Sequence, residues 1–187
     1  MPKLWHETIE AHRSAVADTI MDRTAAIAAS EGMHTLTMAR VAQEAGIGRA
    51  TLYKYFKDVG DILTAWHRRQ ISTHLAELEV LRARHQAPLD ALRAVLLAYA
   101  SQGAHDHGSL GQLLHALPHV HDAHRHLQSF VSGIVAEAIS AGDLSEAPSA
   151  DERARFALAA LQGGHSTSHR AVGRVVDMAL RGIGAGA

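Results

Sequence analysis

The chain has 187 residues, 47% of them hydrophobic, and a formal net charge of −1, so it can bury a core but shows no overall basic signal for nucleic acid. It contains no cysteine, which excludes disulfides, zinc–thiolate sites and thiol catalysis. No run approaches the ~20 apolar residues of a membrane span, and Met1-Pro2-Lys3-Leu4-Trp5-His6-Glu7 carries charge where a secretion leader needs an apolar core. A cytoplasmic protein without a membrane partner is expected.

Abundant alanine and leucine with only four prolines point to an all-α fold. Val16, Ile20, Thr24 and Ile27 share one face of a first helix that stops at Gly32. Thr37 can cap a short helix, Met38 to Ala45, ended by Gly46, and a second short helix follows from Arg49 to about Tyr55. Asp58 can cap a long helix to about Arg84, with Asp61 in its first turn and an apolar seam through Ile62, Leu63, Trp66, Ile71, Leu75, Leu78 and Leu81. Pro88 opens the next helix, to about Gln102. Gly103 to Gly111 reads as a loop, and Gln112 to Leu117 as a short helix ended by Pro118. A longer helix is expected from about Ala123 to Ser140, with His119 to His126 straddling a loop. Ser149 and Glu152 form a capping box for a helix toward Gly163-Gly164, and a last helix runs from about Arg170 to Arg181. No alternating strand pattern and no repeat is visible.

The pair of short helices joined at Gly46 carries the chemistry. Ala42, Gly46 and Leu52 supply the small contact residue, the turn and the apolar anchor that two crossing helices need, with Val41, Ala45 and Ile47 completing the inner face. From Thr37 to Lys57 the basic residues Arg40, Arg49, Lys54 and Lys57 face a single acid, Glu44, a local net of +3. Thr37, Thr51, Tyr53 and Tyr55 add hydroxyls. Cations and hydroxyls bind phosphate oxygens, while side chains at the start of a recognition helix reach base edges. Arg49 suits a bidentate contact with guanine and Ala50 the methyl of thymine. Helix pairs with a glycine turn also occur in proteins that never touch DNA, and a helical interaction module stays open on the motif alone.

Thr37-Met38-Ala39-Arg40-Val41-Ala42-Gln43-Glu44-Ala45-Gly46-Ile47, followed by Arg49-Ala50-Thr51-Leu52-Tyr53-Lys54-Tyr55-Phe56, resembles the TetR family of transcriptional regulators, over a stretch from about Arg13 to Thr73. The resemblance implies a helix-turn-helix DNA-binding domain at residues 10–73 and a helical bundle for ligand binding and dimerisation at 74–187. It implies that Thr37, Thr51, Tyr55 and Lys57 hold phosphates, that Arg49, Ala50, Tyr53 and Lys54 face bases, and that Phe56 locks the third helix onto the first. Two positions depart from the pattern. Gly48 stands where a capping Ser or Thr is usual, and Val59-Gly60 replaces the usual Lys-Glu. The family also implies a homodimer through its last two long helices. Phe156, Ala159, Ala160 and Gly163 on one, and Val172, Val175, Val176 and Ala179 on the other, suit close packing; periodicity cannot separate that interface from the monomer's own core.

The resemblance further implies an internal pocket for a small-molecule effector. Leu96, Tyr99, Leu113, Leu114, Leu117, Phe130, Ile134 and Phe156 are candidate lining, or simply core, since apolar side chains at helical spacing fill bundles by default. The reading is a repressor that binds a palindromic, double-stranded operator as a dimer and is released by the effector. The 15 histidines include His105, His107, His119, His121, His124, His126, His165 and His169. They leave open a metal- or pH-responsive regulator, although surface histidines without fixed partners are the simpler reading. No Gly-rich phosphate loop, nucleophile elbow or metal-binding His-Glu helix motif is present, so neither catalysis nor a cofactor is expected.

Overall fold

The computed structural model describes residues 2–103, 118–163 and 169–185, and these form eight α-helices and one 3-10 turn, with no strand among the described residues. Two compact units divide the chain, Met1–Ile71 and Ser72–Ala187.

In the first unit α1 (Pro2–Glu31) stops at Gly32, and the turn Met33–Thr35 leads to α2 (Met38–Glu44), α3 (Arg49–Tyr55) and the start of α4 (Val59–Ala83). The apolar stripe of α1 is sunk in a core of Ile20, Met21, Ile27, Val41, Ala42, Leu52, Phe56 and Ile62. Each fully buried large side chain there contributes about 1.5–3 kcal/mol relative to exposure. Thr24 is buried in the same stripe without penalty, because its hydroxyl donates to the Ile20 carbonyl at 2.8 Å. Arg69 on α4 spans to α1, bonding Asp18 at 2.6 Å and also pairing with Asp22.

The second unit contains the remainder of α4, then α5 (Pro88–Gly103), α6 (Pro118–Ser140), α7 (Ala150–Gly163) and α8 (His169–Gly182). Helix α6 packs on α5 and α7, and α8 packs on the same two helices. Their shared core includes Leu78, Leu92, Leu96, Val131, Ile134, Leu158 and Val176. The helix expected from about Ala123 begins at Pro118 instead, so His119 to His126 lie on a helix and not in a loop. The physical reason is that proline's fixed φ suits the first helical position, where its missing N–H is not needed. Gly103, expected to open a loop, is the last residue of α5, and the rest of that expected loop, to Gly111, lies outside the described residues. The short helix expected at Gln112 to Leu117 lies outside the described residues.

The capping box forms as expected. The Ser149 backbone N–H donates to Glu152 Oε2 at 2.9 Å, the Ser149 hydroxyl to the same oxygen at 2.6 Å, and the Glu152 N–H returns to Ser149 Oγ at 3.4 Å. The serine hydroxyl and backbone bonds hold the Glu152 carboxyl below its ordinary pKa.

Arg153, next in line, is 3% exposed. Its guanidinium donates to the carbonyls of Pro148 (2.8 Å), Ser145 (3.0 Å) and Ala147 (3.0 Å), to Ser145 Oγ (2.9 Å), and to the Ile183 carbonyl beyond the end of α8. A planar fork of five donors fits this ring of acceptors, and a cation at a helix C-terminus opposes the helix dipole. Arg153→Ala is expected to cost about 2–4 kcal/mol of stability, because several carbonyls lose their donors at once. Arg153→Lys should restore little of it. Urea unfolding midpoints of the three proteins check this; a lysine variant as stable as the parent would show that charge alone suffices.

Candidate nucleic-acid interface and small-molecule pocket

Helices α2 and α3 are each seven residues long, too short to persist alone. Packing positions them. Thr37 caps α2, its Oγ1 accepting from the Arg40 N–H at 3.2 Å, which leaves the hydroxyl hydrogen of this exposed residue available to an acceptor outside. At the turn Gly46 has φ +67°, and the Ile47 N–H reaches back to the Ala42 carbonyl at 3.0 Å. Left-handed backbone is costly for any residue with a Cβ, which is why glycine stands there. Ala42 is 2% exposed and Leu52 fully buried, so the two helices meet at the small residue and the apolar anchor that the sequence indicates.

Sinking Leu52 and Phe56 turns the other face of α3 outward. Arg49, Ala50, Thr51, Tyr53 and Lys54 are all exposed, as are Thr37 and, past the helix, Lys57. Tyr55 is half-buried, with the Arg13 guanidinium 6.0 Å from its ring centre. Sequence reasoning missed Arg13, since it lies in α1, far along the chain from the motif, and no local spacing signals a cation over a ring. The local charge is also arranged differently from a simple sum. Arg40 pairs with Glu31 at 3.1 Å and Glu44 at 3.2 Å, which removes it from the patch. Among the described residues Arg49, Lys54 and Lys57 have no ion-pair partner, so the net of +3 comes from α3 and the residues just after it. Nearby acids serve the backbone: Asp58 Oδ1 accepts from the Asp61 N–H at 2.8 Å, and Asp61 Oδ2 from the Lys57 N–H at 3.2 Å.

Gly48 is the N-cap of α3 with φ −69° and ψ 146° and makes no side-chain bond. A Cβ there meets only Thr51 Oγ1 at 3.9 Å. Serine fits this backbone and adds the missing cap, so Gly48→Ser is expected to stabilise the first unit by about 0.3–0.5 kcal/mol. Thermal unfolding of the first unit reads this; a lowered midpoint would show that the serine hydroxyl does not reach the N–H groups of the first turn.

The described residues expected to line a pocket, or simply to fill the core, differ in burial. Leu96 and Ile134 are fully packed in the core, Tyr99 and Phe130 are half-buried against it, and Phe156 is 51% exposed. Leu113, Leu114 and Leu117 lie outside the described residues. A cavity of about 570 Å³ on the second unit is instead lined by α4 residues from Thr73 to Arg84, including His74, Glu77, Leu78 and Leu81, and by Ala98 of α5. His74 stacks on Tyr99, with centroids 6.4 Å apart and ring planes 20° apart. Neither of its ring nitrogens has a hydrogen-bond partner, and Glu77 Oε2 is 3.9 Å from Nδ1. Burial pushes the His74 pKa below its usual 6.5, only partly opposed by the Glu77 carboxylate.

That shift fixes a sign. The folded unit resists protonating His74, so as pH falls below about 6.5 the unfolded chain takes up a proton that the folded one does not, and stability is lost. Between pH 8 and pH 5 the parent protein should therefore lose more stability than His74→Phe, in which the other histidines are unchanged. Urea midpoints across that range test it; parallel curves would remove the buried-imidazole account.

The histidine clusters divide. His105, His107 and His165 lie outside the described residues; His119 and His169 stand in the first turns of α6 and α8; His121, His124 and His126 are exposed on α6, with His126 Nε2 3.8 Å from Glu79. Among the described residues no three His, Asp or Glu side chains are placed to hold one metal ion.

Of the helices expected to pair with a second subunit, Val172, Val176 and Ala179 are buried within this chain's own core. Phe156 and Ala159 are exposed, Ala160 and Val175 half-buried, and Gly163 ends α7. The Phe156 ring lies over Gly182, where a Cβ would collide with it. Met178, not singled out from the sequence, is 64% exposed on α8.

Residues 20–65 match the family model of bacterial regulatory proteins, tetR family. The regulator BetI of Serratia proteamaculans is 32% identical over 99 residues, 51% of this chain and 46% of that one. The chain spans less than half the length of the curated relatives it matches. A Rhodococcus protein of unknown function has the same fold, with a TM-score of 0.72 at 23% identity over 90% of this chain and 95% of that one. So has the transcriptional regulator FadR of Bacillus subtilis in complex with stearoyl-CoA, with a TM-score of 0.66 at 19% identity over 88% and 98%. No helix among the described residues is long and apolar enough to cross a membrane. Over residues 20–65 the chain is thus similar to the helix-turn-helix region of bacterial regulatory proteins of the tetR family.

Proposed function

We propose that the protein is an effector-responsive transcriptional repressor that binds a palindromic operator as a homodimer. The observation that carries this reading is the outward face of α3, where Arg49, Lys54 and the following Lys57 stand exposed without ion-pair partners beside exposed hydroxyls. Thr37, Thr51, Tyr55 and Lys57 take phosphates, while Arg49, Ala50, Tyr53 and Lys54 read bases in the major groove. Residues 10–73 form the reading domain and 74–187 the effector and dimerisation domain. Two recognition helices ~34 Å apart read successive major grooves, which is the physical reason for a dimer. The exposed apolar side chains Phe156 and Met178, with Ala159, Ala160 and Val175, are the surface of α7 and α8 left for a partner.

Effector control follows from differential affinity. A ligand bound in the second unit that favours a dimer with wrongly spaced recognition helices lowers operator affinity by the same coupling free energy. The complex of FadR with stearoyl-CoA supports the reading that this architecture houses small molecules.

The test is an operator selected from a random DNA pool by the purified protein. Replacing both Arg49 and Lys54 with alanine should weaken binding on the order of 10²–10³-fold and reduce the salt dependence by about one to two phosphate equivalents. Unchanged affinity with no salt response would sink the assignment of α3 to the groove.

A further inference from the structure

Resting on the effector-responsive reading above, we propose that the cavity on the second unit takes an uncharged, mostly apolar small molecule bearing a hydroxyl group, and that His74 is the side chain that reads the hydroxyl. The cavity, about 570 Å³, is of the size that holds small ligands. Ala76, Leu78, Val80, Leu81 and Ala98 give it mostly apolar walls. Within those walls His74 has both ring nitrogens buried and without hydrogen-bond partners. Glu77 Oε2 stands 3.9 Å from Nδ1, close enough to pair with a protonated ring but long for a hydrogen bond to a neutral one. The His74 ring is held on one face by Tyr99, and its side chain keeps 18% exposure and helps to line the cavity.

The chemistry of the occupant follows from the state of the imidazole. Burial keeps the ring neutral, and a neutral imidazole has one N–H donor and one bare acceptor nitrogen. A hydroxyl can answer either one, since it both donates and accepts. A carboxylate only accepts, and it would stand near the negative Glu77; an apolar molecule leaves both nitrogens unanswered. Arg84 also borders the cavity, but it is exposed, where pairing with an anion gains little.

Three probes of one shape separate these cases: 1-naphthol, naphthalene and 1-naphthoate, each titrated calorimetrically into the full-length protein. 1-Naphthol should bind about tenfold tighter than either of the others, the value of one buried hydrogen bond. His74→Phe should bring 1-naphthol to within about twofold of naphthalene, while His74→Asn, which keeps a donor and an acceptor, retains part of the preference. Equal binding of naphthol and naphthalene to the parent, tighter naphthoate, no binding of any probe, or a preference that survives His74→Phe each overturns the assignment. Operator affinity is measured in parallel. A His74-dependent preference with unchanged operator affinity keeps the hydroxyl site and removes effector control; operator release without any preference does the reverse.

Discussion

The helix-turn-helix depends on one constraint, the burial of Leu52 in the cluster formed with residues of α1 and α2. A seven-residue helix loses more in nucleation than its own hydrogen bonds return, so α3 exists because Leu52 and Phe56 are taken from water into the cluster with Ile20, Val41 and Ala42. The same contact decides direction. At 3.6 residues per turn, anchoring position 52 commits 50 and 54 to the opposite side, with 51 and 53 on the flanks, and all four are exposed. Fold and presentation of the cationic face are one event here. The close approach that allows it comes from Ala42 having so little side chain and from Gly46 turning the chain within one residue.

Electrostatics explain how a chain of net charge −1 can offer a basic surface. Charges separated by more than a Debye length of ~8 Å at physiological salt are largely screened, so the balance near α3 matters and the total does not. Several acids of this unit are held by other groups. Glu31 and Glu44 are tied to Arg40, while Asp58 and Asp61 bond backbone N–H groups at the start of α4. Asp18 and Asp22 are paired with Arg69. The cations on the exposed face of α3 are left with water.

The helix-turn-helix was legible in the sequence because its determinants are local: a threonine cap, a glycine turn and an anchor six residues on are all fixed by helix geometry. Helix boundaries at Thr37, Gly46, Pro88 and Ser149 follow from capping chemistry for the same reason. What the sequence could not show is tertiary. Proline marks both the end of one helix and the start of another, and only the structure shows which role Pro118 plays. Periodicity identifies an apolar face without saying what it meets. Hence Leu96 and Ile134 lie in solid core, Val172, Val176 and Ala179 serve the chain's own interior, and Phe156 points outward over Gly182. His74 gave no signal at all, as one histidine among fifteen on a seam read as apolar.

Arg153 and His74 make the contrast that gives the second unit its meaning. Both are polar side chains drawn into an apolar bundle, where an unanswered donor or acceptor costs roughly 1–3 kcal/mol. Around Arg153 the chain has arranged carbonyls from two separate segments and a serine hydroxyl, so that every nitrogen of the fork has an acceptor. The unit can therefore satisfy a buried group. Around His74 it has placed a stacking tyrosine, mostly apolar walls and the Glu77 carboxylate at 3.9 Å, but no close hydrogen-bond partner for either nitrogen. Phenylalanine would fill the same space against Tyr99 without that cost. An imidazole there leaves two buried nitrogens without hydrogen bonds from the described chain, at the edge of the cavity that its side chain helps to line.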